Sequence, residues 1–289
     1  MIKILTDNWE QYQLLDSGDY QKLERFGDFV LMRSEPRAWW KKSLPVSDWL
    51  KMTSASYLTE GKGQWDRNPG VPEEYPIAYQ DLVFKIKLTE TSKHVGVFPE
   101  QSSQWNWISE KIKSSGRTDI KILNLFSYTG ASTMVCAKAG ASVTHVDGSK
   151  PAMDWANENQ TLSKLKDKPV RWILDDCFKF VKREVRRGSK YDAIILDPPA
   201  FGRGPQGQVW KIEEDLPVFM ENCRELLSDK AIFVWLTAYT IDASSLSIAN
   251  LVRDMVAGKG GKVEAGEMVI KPKDGEKVLP MSIFATWEK

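Results

Sequence analysis

Lys121-Ile122-Leu123-Asn124-Leu125-Phe126-Ser127-Tyr128-Thr129-Gly130 is the stretch that decides how this chain of 289 residues folds. Its first six residues read as a short buried strand, because an apolar run of this length bounded by turn residues suits a strand covered on both faces. Ser127 to Thr133 read as a loop of mostly small residues, and Met134 to Gly140 as a helix closing on a glycine. Strand, tight glycine turn and helix open a nucleotide-binding βαβ unit. The G-x-G-x-x-G pyrophosphate fingerprint is missing, since Gly130 is the single glycine of the turn and bulky Phe126 and Tyr128 precede it. A dinucleotide phosphate therefore has no evident seat. Gly130 still lets the backbone approach a ligand closely. Phe126, Tyr128, Thr129 and Gly130 are the candidate contacts of the turn.

Three further strands follow, and each ends in an acid. Ala141 to Val146 lead to Asp147, seventeen residues beyond Gly130, where the two oxygens of a carboxylate match the vicinal hydroxyls of a ribose. Ser149 suits the cap of a helix running from Pro151. Val170 to Leu174 lead to Asp175-Asp176-Cys177-Phe178. A carboxylate there can accept from an exocyclic amine such as adenine N6, and the next backbone N–H, that of Cys177, can meet a ring nitrogen. Asp176 fits better than Asp175 because it directly precedes the helix start, although either acid also suits a solvated cap. Tyr191 to Leu196 lead to Asp197-Pro198-Pro199-Ala200-Phe201. Proline has no N–H for a ladder, and the residue before it is kept extended. The product is a rigid corner presenting one carboxylate and free carbonyls at a strand's C-terminal end, the edge where open α/β sheets bind ligands.

Gly130, Asp147, Asp176 and Asp197, at the ends of four successive strands, together resemble the class I S-adenosylmethionine-dependent methyltransferases over roughly residues 95–289. More narrowly, Asn124 to Gly130 with Asp197 to Phe201 resemble a bacterial 23S rRNA methyltransferase family that includes cytosine-C5 and guanine-N7 enzymes. Gly96-Val97-Phe98-Pro99-Glu100-Gln101 is similar to that family's segment before the first strand, where an aromatic and a glutamine lie against the cofactor; the resemblance implies those roles for Phe98 and Gln101. It implies S-adenosylmethionine as cofactor, an RNA substrate with rRNA foremost, and a Rossmann-like α/β sheet in a domain over 93–289. Asp197, Pro198 and Phe201 would be the catalytic residues, orienting a nucleophilic nitrogen and stacking on its base. Cytosine C5 would require a cysteine to add at C6. No thiol stands after the fourth strand or in Leu236 to Thr240 after the fifth, and Cys136 and Cys223 fall on expected helices. A base nitrogen is therefore expected instead.

Residues 1–92 lack strand–helix alternation and read as a small β-rich domain. Tyr12 to Leu15, Gln21 to Phe26 and Phe29 to Arg33 suit strands of a meander, with Asp16-Ser17-Gly18-Asp19 and Gly27-Asp28 as turns. Seven of the 12 tryptophans precede residue 110, which implies a core of large rings or a docking surface. Trp39-Trp40-Lys41-Lys42 suits either a buried interface or the stacking of unpaired bases beside cations. Gly61-Lys62-Gly63 marks a loop, and Gly202-Arg203-Gly204-Pro205-Gln206-Gly207 a flexible loop beside the reacting centre. A terminal pair of strands, Val263 to Ile270 and Met281 to Trp287, would place the last strand antiparallel.

The net charge is +1, from 40 basic and 39 acidic residues. Residues 1–120 hold 16 basic and 17 acidic side chains and the rest 24 and 22, so neither part is a basic arm for non-specific duplex binding. Three cysteines, two histidines and no Cys-x-x-Cys imply neither a disulfide framework nor a metal site. With no signal-peptide core and no membrane-length apolar run, cytoplasmic residence is expected. Composition leaves the oligomeric state open. A protein or small-molecule methyltransferase of the same fold is the alternative reading, and a NAD-dependent oxidoreductase a more distant one.

Overall fold

The computed structural model describes residues 2–6, 9–58, 64–90, 92–203 and 209–289. The chain divides into two compact units. One comprises the residues up to Ile4, Gln104–Met268 and Ser282–Lys289; the other comprises Leu5–Ser103 and Val269–Met281. Residues 93–103, which the sequence groups with the larger domain, belong to the second unit.

The chain opens with β1 (Ile2–Leu5), an edge strand of the large sheet that no periodicity announces. β2 (Tyr12–Gly18), β3 (Gln21–Phe26) and β4 (Phe29–Ser34) form the expected antiparallel meander. β2 runs on through Asp16 and Ser17, where a turn is expected, because the buried Asp16 carboxylate accepts N–H bonds from Ser43 (3.0 Å), Leu44 (2.9 Å) and the Trp49 indole (2.9 Å). Those bonds fix the start of α1 (Val46–Met52). β5 (Ala55–Tyr57) lies parallel to β4 and pairs with β6 (Asp66–Arg67). β7 (Glu74–Tyr79) and β8 (Leu82–Lys87) make a separate hairpin. The loop at Gly61-Lys62-Gly63 lies outside the described residues.

The core of this second unit is built from large rings, among them Trp9, Tyr12, Phe26, Trp49 and Tyr79. It also buries charge. Glu24 accepts from Arg33 Nε (3.0 Å) and from the Tyr12 hydroxyl (2.8 Å), so the pair is hydrogen-bonded as a buried ion pair must be. Arg33, Lys22 and Tyr12 hold the Glu24 carboxyl below its ordinary pKa against the burial that would raise it.

In the larger unit, α2 (Ser102–Ser114) leads into β9 (Lys121–Leu125), α3 (Ala131–Lys138), β10 (Ser142–Asp147), α4 (Lys150–Leu162), β11 (Val170–Leu174), α5 (Cys177–Arg186) and β12 (Ala193–Leu196). A short hairpin, β13 (Phe201–Arg203) with β14 (Val209–Lys211), stands where a plain glycine-rich loop is expected; residues 204–208 of that loop lie outside the described residues. Then come α6 (Ile212–Arg224), β15 (Phe233–Ala238), α7 (Ser245–Met255), β16 (Lys262–Ile270) and β17 (Leu279–Glu288).

The strands run in the order β1-β16-β17-β15-β12-β9-β10-β11. β9 is parallel to both β10 and β12, β12 is parallel to β15, and β17 is antiparallel to β15. β12 is buried at all four residues, as a central strand covered on both faces must be. On one face Phe180, Phe219, Ile248 and Val252 from α5, α6 and α7 pack on Leu123, Ile194 and Val234; on the other, Trp107 of α2 meets Trp235, which stacks on Phe284. The chain passes from β9 to β10 and β11 on one side and returns to β12 on the other. That reversal is a topological switch point, and the crevice at the strands' carboxyl ends is where such sheets take ligands. Among the described residues no helix is long and apolar enough to cross a membrane, and no cluster of His, Cys, Asp and Glu is placed to hold a metal ion.

Candidate active site

The switch point falls between β9 and β12, and the turn after β9 is shaped for close approach. Phe126, Tyr128 and Gly130 all hold positive φ (56°, 48° and 82°). For Phe and Tyr that conformation is strained and must be imposed by neighbours. Four neighbours do so. The Phe126 N–H donates to Cys177 Sγ (3.3 Å), Ser127 N–H to Val146 O (3.2 Å), Tyr128 N–H to Asp147 Oδ2 (2.8 Å), and Asn159 Nδ2 to Thr129 O (2.9 Å). Beneath the turn Asn124 donates to Thr133 Oγ1 (2.9 Å), which bonds His145 Nδ1 (2.9 Å). A Cβ on Gly130 would sit 3.2 Å from Ala156 Cβ and 3.4 Å from His145 Cε1, so the glycine is needed for both its φ and its packing.

Asp147 stands at the end of β10 with each carboxylate oxygen taking one backbone N–H, Oδ2 from Tyr128 and Oδ1 from Ser149 (2.8 Å each). A carboxylate has about four lone-pair sites, so two more donors can be met. Burial pushes its pKa up, opposed by the Ser149 and Tyr128 N–H groups. Ser149 caps α4, its Oγ accepting from Ala152 N (3.3 Å). At the next edge the two acids separate in role. Asp175 is ion-paired to Arg183 and accepts the Asp176 N–H (2.8 Å). Asp176 caps α5 with one oxygen, accepting from Lys179 N (2.9 Å). Cys177, the first residue of α5, has a backbone N–H with no intrahelical acceptor by position. Its thiol is buried beneath, and burial pushes its pKa far up.

Asp197 ends β12 next to β9, its N–H donating to Leu125 O (3.3 Å). Pro198 is buried and Pro199 exposed. The Pro199 carbonyl accepts from the Trp210 indole (2.7 Å), and Ile212 N–H donates to Ala200 O (3.0 Å). Phe201 is 54% exposed at the root of the hairpin. Trp210, which sequence reasoning missed, is half-buried against Phe126 and Phe219 with ring centroids 5.2 and 5.6 Å away. It thus links the glycine turn to the hairpin after the prolines; an aromatic beyond a glycine-rich loop was its only signal. Phe98 and Gln101 lie in the other unit, where Phe98 precedes the 3₁₀ turn Pro99–Gln101 and Gln101 is buried.

A parallel sheet with its switch point at β9, an antiparallel strand inserted beside β15, a one-glycine turn and an acid at the second strand end define a class I methyltransferase fold. A family model described as S-adenosylmethionine-dependent methyltransferase matches residues 54–232, and the chain belongs to that family. The crystal structure of a SAM-dependent methyltransferase from Agrobacterium tumefaciens is 42% identical, with a TM-score of 0.94 over 100% of this chain and 93% of that one. A methyltransferase crystallised with SAH shares the fold at a TM-score of 0.75 and 19% identity, over 97% and 76% of the two chains. The "Ribosomal RNA large subunit methyltransferase K/L" of Pseudoalteromonas atlantica is 30% identical over 170 residues, 58% of this chain and 23% of its own length. That of Colwellia psychrerythraea is 32% identical over 142 residues, 49% of this chain and 19% of its own. The chain thus spans less than a quarter of these curated relatives.

The protein is an enzyme, and its cofactor is S-adenosylmethionine. The donor set at the strand ends fits that group. Asp147 retains acceptor sites suited to a diol, Asp176 and the Cys177 N–H offer an acceptor–donor pair suited to an adenine edge, and the one-glycine turn has no cradle for a pyrophosphate.

Proposed function

We propose that this methyltransferase acts on a nitrogen of an RNA base, with large-subunit ribosomal RNA as the substrate. The observation that carries the reading is the Asp197-Pro198-Pro199 corner at the switch point with an exposed aromatic, Phe201, just beyond it. The names of the K/L relatives support an rRNA substrate. Burial of all three thiols, with pKa values pushed up, supports a nitrogen over cytosine C5, which needs a thiolate.

In this reading Asp147 holds the ribose of the cofactor. Asp176 and the Cys177 N–H hold the adenine, Asp175 being engaged by Arg183. Phe126, Tyr128, Thr129, Gly130 and Ser149 shape the wall around it; for Phe98 and Gln101, a cofactor role rests on family resemblance alone. The cofactor supplies an activated methyl group on a sulfonium, so the protein's task is alignment. Asp197 accepts an N–H of the base, which leaves the nitrogen lone pair directed at the methyl group. The Pro199 carbonyl is engaged by Trp210, so the Pro198 carbonyl is the second acceptor. Phe201 stacks on the base. The larger unit supplies this chemistry, and the second unit is accessory to it.

The test is incubation of the protein with methyl-labelled S-adenosylmethionine and unmodified large-subunit rRNA, followed by nucleoside mass spectrometry. An N-methylated nucleoside, lost in Asp197→Ala while cofactor binding persists, is expected. Label in 5-methylcytidine, or only in protein, would overturn the assignment.

A further inference from the structure

The second unit carries an exposed surface that the transfer chemistry does not use. Trp39 is 76% exposed and Tyr20 61% exposed. They are neighbours, since the Tyr20 N–H donates to Ala38 O (2.8 Å) and the Asp19 N–H to Trp40 O (2.6 Å). Asp19 and Tyr20 form the β2–β3 turn, both at positive φ (48° and 63°). A tyrosine rarely holds that conformation; here the turn turns its ring outward at a cost in backbone strain.

The Trp39 ring is exposed yet tethered, its indole N–H donating to Pro36 O (2.6 Å). Trp40 differs: it is half-buried, its indole bonded to Ser17 O (2.8 Å), and it belongs to the frame. That frame is rigid. Gly18 lies so close to the next segment that a Cβ would fall 2.4 Å from Lys42 N, and the buried Asp16 carboxylate binds the N–H groups just beyond.

Cations lie on the same segments as the two rings. Lys41 is 90% exposed at its side chain and ion-paired to Asp19 (2.8 Å); the Lys42 ammonium donates to Gln21 (2.6 Å) and lies 4.4 Å over the Trp49 ring, so it belongs to the frame. Lys277, distant in sequence, donates to Lys41 O (2.9 Å) and brings a second ammonium to the same edge. Lys271 and Lys273 flank it in the same loop, and Lys273 N–H bonds Leu14 O (2.9 Å). The chain's balanced net charge hides this surface because its lysines come from opposite ends of the sequence.

We propose that Trp39 and Tyr20, with Lys41 and Lys277 on the adjoining segments, form a docking surface for single-stranded RNA. Stacking on an aromatic face tolerates any base, and nearby ammonium groups meet the phosphates. Tethering of the indole limits the entropy lost on binding. The inference rests on RNA being the substrate and adds where unpaired nucleotides are gripped.

Fluorescence anisotropy of a short labelled single-stranded RNA, titrated with the full chain at several salt concentrations, tests it. Trp39→Ala is expected to weaken binding about tenfold or more, and Trp39→Phe to restore most of the loss. Lys41→Gln with Lys277→Gln is expected to lower the salt slope by about 0.7 per lysine removed. S-adenosylmethionine affinity stays unchanged in all of them. Wild-type affinity and salt slope in these variants, while the wild type binds and methylates rRNA, would sink the docking surface alone. So would unaltered RNA binding in Trp39→Ala with loss of self-association in sedimentation, which reassigns the ring to a contact between copies. A wild type that neither binds nor methylates RNA would overturn the substrate reading and this inference with it.

Discussion

Asp147 accepts the Tyr128 N–H that fixes the glycine turn, and in the proposed reading its remaining lone pairs meet the cofactor's ribose. Asp147→Ala strands a half-buried N–H, at a cost of about 1–3 kcal/mol, and removes the proposed diol contact as well. S-adenosylmethionine binding is expected to weaken by about 10- to 100-fold by isothermal titration, with Asp147→Asn in between because it keeps one acceptor. Burial raises the pKa of this carboxyl. Its neutral form cannot accept two diol hydrogens equally well, so cofactor affinity is expected to fall on acidification from a pH above the ordinary aspartate range. The effect on folding has the opposite sign: an acid whose folded pKa is raised costs stability as pH climbs through that pKa. The cysteines give a simpler expectation. Cys136, Cys177 and Cys223 are at most 4% exposed, and burial pushes all three pKa values up. A disulfide-exchange reagent should label none of them in the native protein and all of them in denaturant. Fast native labelling of Cys177 would reopen cytosine-C5 chemistry.

At the scale of elements the turn between β9 and α3 is the part least tolerant of change. Gly130→Ala adds a Cβ 3.2 Å from Ala156 on α4 and penalises a φ of 82°. The left-handed conformation alone costs about 1–2 kcal/mol for a non-glycine residue. Lower unfolding free energy by at least that amount, with about tenfold weaker cofactor binding, is the expected outcome in urea unfolding and titration; unchanged values for both would show the turn to be looser than its hydrogen bonds imply. This turn, and the four strand ends around it, were legible because buried strands punctuated by Gly, Asp and Pro leave sharp marks in sequence. Other elements left none. α3 begins at Ala131 rather than Met134, since Ser132 and Thr133 are buried helix residues whose small polar side chains read as loop. α7 was hidden behind a serine-rich start, and β7 behind Pro76. β1 is four residues long and gains its partner only from β16, more than two hundred positions away. In the site, the two functions of the Asp175–Asp176 pair separate only when Arg183 is seen one helix turn or two along α5, and Trp210 is marked only as an aromatic beyond a glycine-rich loop. Trp39 and Trp40 look alike in sequence, yet one is tied to the frame and the other stands out in solvent.

Over the whole molecule, burial of ionisable groups ties stability to pH, and His145 sets the part of that dependence nearest neutrality. Its ring is fully buried between the turn network and Trp172, 4.6 Å away, and desolvation lowers its pKa to about 3. The unfolded chain therefore binds a proton near pH 6.5 that the folded chain refuses. For a base with a depressed folded pKa, the stability is complete above the unfolded value and drains as pH falls below it, by about 1.4 kcal/mol per unit. Between pH 7 and pH 5 the loss comes to about 2 kcal/mol. His94, the other histidine, has its pKa lowered to about 4 by partial desolvation of the ring first and then by Arg33 and Lys22; the residue keeps much of its surface in water, which screens its share. Glu35, held to about 2 chiefly by Lys22 and Arg37 against its burial, drains stability only at more acid pH, below the ordinary glutamate range. Asp147 and Glu100, raised by burial, act in the opposite direction over the acid part of the window. These groups are common to the wild type and to His145→Asn, so their contributions cancel in the difference between the two. Urea unfolding of both proteins at pH 7 and pH 5 should show the wild type losing about 2 kcal/mol more than the variant. Equal losses would mean that the imidazole is protonated inside the fold, and that the Asn124–Thr133–His145 chain beneath the glycine turn holds a charge.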